Sequence, residues 1–244
     1  MIKGLLIAIC LVYTISLISF TSHFSKSYEH TNKLENINKD LEEETNISHI
    51  LFGIPGSTKM WNNRSRYSSL GWRPNITRGL VWLDKKPHKD VTWPENSLPY
   101  RVSLDTSKFK NTCWFGDRSV VRIARIVKES FELGLSNVRW FVMGDDDTVF
   151  FTENLVTVLS KYDHNQMYYI GRNSESVEAN VMCSYNMAYG GGSTAISYPL
   201  AMELVKILDD CINRYHYVFD YDLMISNCMA EIGVPLTKEL GFHQ

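Results

Sequence analysis

Residues 140–151 read Trp-Phe-Val-Met-Gly-Asp-Asp-Asp-Thr-Val-Phe-Phe, so three consecutive carboxylates, Asp145, Asp146 and Asp147, stand between two apolar runs. Short runs rich in aromatic and β-branched residues read as buried strands. Both flanks are therefore tied to a core, and the triplet belongs to the lip of a sheet rather than to a solvated acidic loop. Three adjacent negative charges there repel one another unless a cation sits among them. A hard divalent ion with oxygen ligands is the simplest compensation. An EF-hand calcium loop does not fit, because no Gly or Glu falls at the required positions.

The N-terminus is of a different kind. Gly4–Phe20 is an uncharged, mostly apolar run preceded by Lys3, and no small-x-small cleavage site follows it. Such a run reads as a retained signal-anchor helix with the body of the chain on the lumenal side. Sequons at Asn46, Asn63 and Asn75 agree with a secretory compartment. Outside the apolar run, Cys113, Cys183, Cys211 and Cys228 form an even set able to make two disulfides in an oxidising lumen. Three pairings are open. The formal net charge of −2 gives no reason to expect a nucleic-acid partner.

The organisation expected is a cytosolic tip and anchor over residues 1–20, a flexible polar stem over 21–48, and a globular domain over 49–244. Within the domain, strands are expected at 49–54, 79–83, 138–143, 167–170 and 194–197. Helices are expected at 118–135, at 152–161 with Thr152 as N-cap, from Pro199 to about Tyr215, and at 222–232 closed by Gly233. The first helix puts Arg122, Arg125, Lys128, Glu129 and Glu132 mostly on its outer face. Alternating strands and helices argue for an α/β domain with a mostly parallel sheet. Ligands bind such sheets beyond the carboxyl ends of the strands, where the acidic triplet lies.

Three segments carry a family resemblance: Val138–Thr148 with the triplet, Ser184–Gly192 with its Gly190-Gly191-Gly192 run, and Cys228–Gln244. On these the chain resembles Fringe-type β-1,3-glycosyltransferases, nearest to the Fringe-like proteins of plants. The resemblance covers residues 49–244. It implies a GT-A-like nucleotide-sugar-binding domain, a UDP-sugar donor, a glycan or glycoprotein acceptor, a manganese-type cation and inversion at the anomeric carbon. It also implies a single-pass type II protein of the Golgi membrane with a lumenal catalytic domain. By the same resemblance Asp147 is the direct metal ligand and His243 a second one. Asp145 and Asp146 contact ribose, metal-bound water or the donor sugar, and Asp145 is also counted with the metal ligands. Asp84, ending an early strand, contacts the nucleotide base. Gly190, Gly191 and Gly192 let the backbone approach the donor closely.

Inversion in one displacement needs a carboxylate to take the proton of the acceptor hydroxyl. The family places it in an acidic pair just before a helix, and the matching segment here is Asp220-Tyr221-Asp222. Asp222 is the expected base and Asp220 the alternative, although Asp222 also suits a helix N-cap. A tyrosine interrupts the pair, and the chain stops at Gln244 where related proteins continue. Both departures keep open a membrane-anchored pseudoenzyme or a truncated, non-catalytic member. The triplet with Thr148 and Val149 also satisfies the pattern of aspartate-nucleophile phosphatases, which carry it on the first strand of the domain. Trp140, Phe141, Phe150 and Phe151 are expected in the core. Arg172 and the group Arg118, Arg122 and Arg125 are expected as solvated charges, and Asp209-Asp210 as surface.

Overall fold

The computed structural model describes residues 44–88, 93, 97–114 and 116–244. The expected anchor helix and nearly all of the expected stem lie outside these residues. No helix among those described is long and apolar enough to cross a membrane. The compact unit begins at Thr45. Asn46 caps a 3₁₀ turn at Ile47–His49 through its side chain, so the domain starts four residues before the expected boundary.

Among the described residues, seven strands form one sheet: β1 (Ile50–Gly56), β2 (Arg78–Leu83), β3 (Tyr100–Val102), β4 (Trp140–Met143), β5 (Tyr169–Gly171), β6 (Thr194–Ser197) and β7 (Leu236–Lys238). Their order is β3-β2-β1-β4-β6-β5-β7. Strand β1 runs parallel to β2 and β4, β2 to β3, and β5 to β7. Only β6 opposes its neighbours, pairing antiparallel with β4 and β5. The mostly parallel α/β sheet is thus present. After β1 the chain steps to one side for β2 and β3, then returns to the other side for β4. This reversal opens a crevice at the carboxyl ends of β1 and β4, where ligands of such sheets bind.

The helices are α1 (Trp61–Gly71), α2 (Ser119–Ala124), α3 (Ile126–Phe131), α4 (Thr152–Leu159), α5 (Val177–Met182), α6 (Tyr198–Arg214) and α7 (Tyr221–Ile232). They cover both faces of the sheet, which explains why the central strands are apolar on alternate and intervening positions alike. On one face Leu51, Phe141 and Ile196 pack with Val120, Val127, Leu204 and Cys228. On the other, Ile50, Phe52, Trp140 and Val142 pack with Leu159 and Phe242. A disulfide joins Cys211 on α6 to Cys228 on α7, with Cα atoms 5.9 Å apart, while Cys113 and Cys183 are not bonded.

Several local expectations are corrected. The single helix expected over 118–135 breaks at Arg125 into α2 and α3. Arg125 and Glu129, expected on its outer face, are both 4% exposed. Arg125 forms an ion pair with Asp209, so that aspartate is a partner of a buried guanidinium and not plain surface. The carboxylate of Glu129 accepts the Leu104 N–H at 3.1 Å. Periodicity misplaced these charges because it cannot see that a third element covers the helix. Phe151, expected in the core, is 71% exposed and precedes α4 as its N-cap residue, so Thr152 is the first helical residue instead of the cap.

Candidate active site

The acidic triplet follows β4 directly and forms a tight turn closed by the Thr148 N–H on the Asp145 carbonyl at 3.1 Å. The Thr148 hydroxyl accepts the Asp145 N–H at 2.7 Å and donates to the Gly191 carbonyl at 3.0 Å. One buried side chain therefore ties the acidic turn to the glycine run. The run itself is a 3₁₀ turn, Gly190–Gly192, leading into β6. Ser193 follows with φ 75° and ψ 158°, a conformation that costs a non-glycine residue about 1–3 kcal/mol. Its hydroxyl donates to the Met143 carbonyl at 2.8 Å, fastening the strained residue to the end of β4.

Helix α7 supplies the third wall. Asp220 is its N-cap and accepts the Asp222 N–H at 2.9 Å. The capping role considered for Asp222 thus belongs to Asp220. Asp222 instead turns inward, is 6% exposed, and accepts the Gly190 N–H at 2.7 Å. Between them, the Tyr221 hydroxyl donates to Asp145 at 2.6 Å. The tyrosine that interrupts the acidic pair is the strut joining α7 to the acidic turn. A Cβ at Gly190 would run into the Tyr221 hydroxyl and the Asp222 carboxylate, and one at Gly192 would meet the His243 carbonyl at 2.8 Å. Glycine is required at both positions by close approach.

Burial, followed by the charge of Asp220, pushes the Asp222 carboxyl well above the ordinary carboxylate range. Burial also raises Asp220. Asp145 is raised by burial and by its acidic neighbours, against the lowering effect of the Tyr221 hydrogen bond. Asp146 is raised by burial, with Arg64 opposing. Burial keeps the Tyr221 phenol protonated far beyond its usual range, so it stays a donor.

A cleft of about 520 Å³ opens at the switch point. Asp145 and Asp146 after β4, Pro55, Gly56 and Ser57 at β1, and Asp84 after β2 line one part of it. Arg118 and Arg122, expected as solvated charges, line it too. The Arg122 guanidinium donates to the Trp82 carbonyl at 2.8 Å, and Arg118 holds the carbonyls of Thr106, Ser107 and Phe109. Asp84 accepts the Thr58 N–H at 2.8 Å and the Thr58 hydroxyl at 3.1 Å, which fixes the loop entering α1. From α1, Arg64 reaches both Asp146, at 2.9 Å, and Asp147.

Among the described residues no three metal-ligating side chains converge into a ready-made cage. The His243 ring is two-thirds exposed and stands 3.6 Å from Glu175, although its backbone packs on Gly192. The donor set still suits a hard divalent cation. Such ions are held in phosphate-substrate sites by one or two carboxylates plus substrate oxygens and water, not by an all-protein cage. Asp145 and Asp147 offer those oxygens beside a polar cleft. The motif follows the fourth strand, away from the first-strand position of the aspartate-nucleophile phosphatases.

The sequence reading named Asp84, Asp145, Asp146 and Gly190–Gly192; the first three line one cleft, and Thr148 ties the acidic turn to the glycine run. It missed Arg64, Thr148, Tyr221 and Arg122 as site residues. For Tyr221 the signal was present, since a tyrosine set between two acids at the start of a helix has its hydroxyl to place. For Arg64 none was available, because the helix carrying it was not foreseen.

A family model described as "Protein of unknown function, DUF604" matches residues 179–244, the segment holding the glycine turn, Asp220, Asp222 and His243. The β-1,3-N-acetylglucosaminyltransferase lunatic fringe of Danio rerio is 29% identical over 133 residues, or 44% of this chain and 33% of that protein. The chain thus spans about a third of the length of the curated relative it matches. Among solved structures, a glycosyltransferase involved in the glycosylation of the major capsid of PBCV-1 superposes with a TM-score of 0.45. Its identity is 12%, over 78% of this chain and 80% of that one. Sequence similarity therefore runs to the Fringe-type glycosyltransferases, at low identity.

Proposed function

We propose that the domain is an inverting glycosyltransferase that moves a sugar from a UDP-sugar to a hydroxyl of a glycan or glycoprotein, with a β-1,3 preference. One observation carries the reading. The acidic turn, the glycine turn and the two aspartates of α7 meet beside a switch-point cleft, locked together by Thr148, Tyr221 and the Gly190–Asp222 hydrogen bond. The nucleoside lies toward Asp84, the diphosphate between the triplet and Arg122, and the donor sugar over Gly190–Gly192. Asp147 and Asp145 hold a divalent cation, Mn²⁺ by preference, with His243 a further ligand when its ring turns from Glu175. That cation neutralises the charge developing on the departing diphosphate. Asp222 takes the acceptor proton. A carboxyl raised by burial is a stronger base than an ordinary carboxylate, which suits it to that task. Asp220 holds the start of α7 and shares the negative charge. The Cys211–Cys228 disulfide and the N-terminal apolar run support a lumenal domain on a Golgi-type anchor.

A donor-binding member without turnover is the second reading, favoured by the depth of Asp222 behind Gly190. Release of UDP from UDP-galactose, UDP-glucose and UDP-N-acetylglucosamine, with Mn²⁺ and a mixed glycan acceptor pool, separates the two. Release by the native protein that is lost in Asp222→Asn, with UDP binding intact, supports transfer. UDP binding without release from any donor supports the second reading. Release that survives Asp222→Asn removes Asp222 as the base.

A further inference from the structure

The acidic turn already has a cation. Nη1 of Arg64 lies 2.9 Å from Asp146 and also pairs with Asp147. Among the described residues it is the only basic side chain paired with the triplet. The pair differs in kind from the buried Arg125–Asp209 pair, whose guanidinium is 4% exposed. The Arg64 side chain is 36% exposed and that of Asp147 45%, so solvent and ions reach both. The helix carrying Arg64 is lightly held. Only Trp61 and Ser68 of α1 are buried, and its first turn has no side-chain cap. Trp61 anchors it in a cluster with Ile54, Val81 and Leu83, and its entrance is held by the Thr58–Asp84 contact. That contact belongs to the cleft.

We propose that Arg64 is a resident counter-cation that screens the triplet when no metal is bound and must yield Asp147 to the divalent ion. A guanidinium and a divalent cation on one carboxylate repel each other. Binding of the ion is therefore an exchange: the ion pair to Asp147 opens as the metal bond forms, and α1 is freed to follow. Arg64 thereby sets the affinity for free metal and links occupancy of the triplet to the position of α1. The inference rests on the divalent-cation part of the reading above and not on sugar transfer.

The test is a titration of the full chain with Mn²⁺ alone, following free Mn²⁺ by electron paramagnetic resonance, for the native protein, Arg64→Gln and Arg64→Lys. Exchange predicts that Arg64→Gln binds Mn²⁺ about tenfold more tightly, since the competing charge is gone. It also predicts a lower metal-free Tm for that variant, recovered as Mn²⁺ saturates. Arg64→Lys, which keeps the charge and guards against misfolding of the glutamine variant, stays within about threefold of the native affinity. Equal or weaker binding by Arg64→Gln overturns the proposal and makes Arg64 a helper of the metal site. So does failure of every form to bind Mn²⁺. A UDP arm keeps the two readings apart. If UDP does not tighten Mn²⁺ binding to the native protein, the donor reading fails while the exchange stands.

Discussion

Replacing Tyr221 with phenylalanine removes one oxygen and leaves the ring volume unchanged. The lost hydroxyl donates at 2.6 Å to Asp145, a half-buried carboxyl already pushed upward by burial and by Asp146, Asp147 and Asp220. A hydrogen bond to a charged group contributes about 1.5–3 kcal/mol, and leaving the acceptor unsatisfied forfeits most of it. The loss should depend on pH, with a definite sign. The phenol favours the charged form of Asp145, so its removal raises that carboxyl further above its unfolded value. The native variant then binds more protons than the unfolded chain over a wider range, and its stability falls as pH rises. Toward acid pH, as Asp145 takes up its proton in both folded proteins, the two should differ little. At pH 8 the variant should be about 1.5–3 kcal/mol less stable, a Tm lower by about 4–10 °C for a domain of this size. Urea denaturation at pH 4, 6 and 8 measures it. A deficit equal at all three values would refute the reasoning, because it would mean that the hydroxyl packs but does not support a charge.

Asp222→Asn should abolish transfer yet raise stability at pH 8 by about 1–3 kcal/mol, because the amide still accepts the Gly190 N–H while the buried charge is gone. The gain should vanish toward pH 4, as followed by urea denaturation, since a carboxyl raised in the folded state lowers stability only as pH climbs above its unfolded value. Gly190→Ala should cost about 2–4 kcal/mol by driving a methyl into Tyr221 and Asp222, read as a drop in Tm together with loss of UDP binding. Replacing Cys211 and Cys228 together with alanine releases a 17-residue separation and should cost about 3 kcal/mol, seen as a lower urea midpoint in the absence of reductant.

The alternation of apolar strands and amphipathic helices is a local signal, and it placed β1, β2, β4, β6, α6 and α7 to within a few residues. Strands β3 and β7 escaped because each is three residues long and half exposed, so neither has a full period to read. Helix α1 escaped for a related reason. Trp61–Gly71 is polar nearly all round, and its sequence of Asn, Arg and Ser looks like a loop. The site was legible where it sits on one stretch of chain, as at Asp145–Asp147 and Gly190–Gly192. It was not legible where tertiary contact makes it. Arg64 meets Asp147 across 83 residues, and Tyr221 meets Asp145 across 76. The buried charges Arg125 and Glu129 show the same limit in the core, since the element that covers them comes from elsewhere in the chain.

The central claim is that the acidic turn holds a nucleotide diphosphate through a divalent cation. Thermal unfolding of the native protein and of Asp147→Ala, each with UDP, with Mn²⁺, with both and with neither, tests it directly. At about 100 times the dissociation constant a ligand stabilises by roughly 2.7 kcal/mol, or about 5–10 °C here. The account predicts the full shift in the native protein when UDP and Mn²⁺ are present together, a smaller one with Mn²⁺ alone, and none from the pair in Asp147→Ala. A native protein indifferent to the pair, or an Asp147→Ala variant that shifts as much, would contradict it.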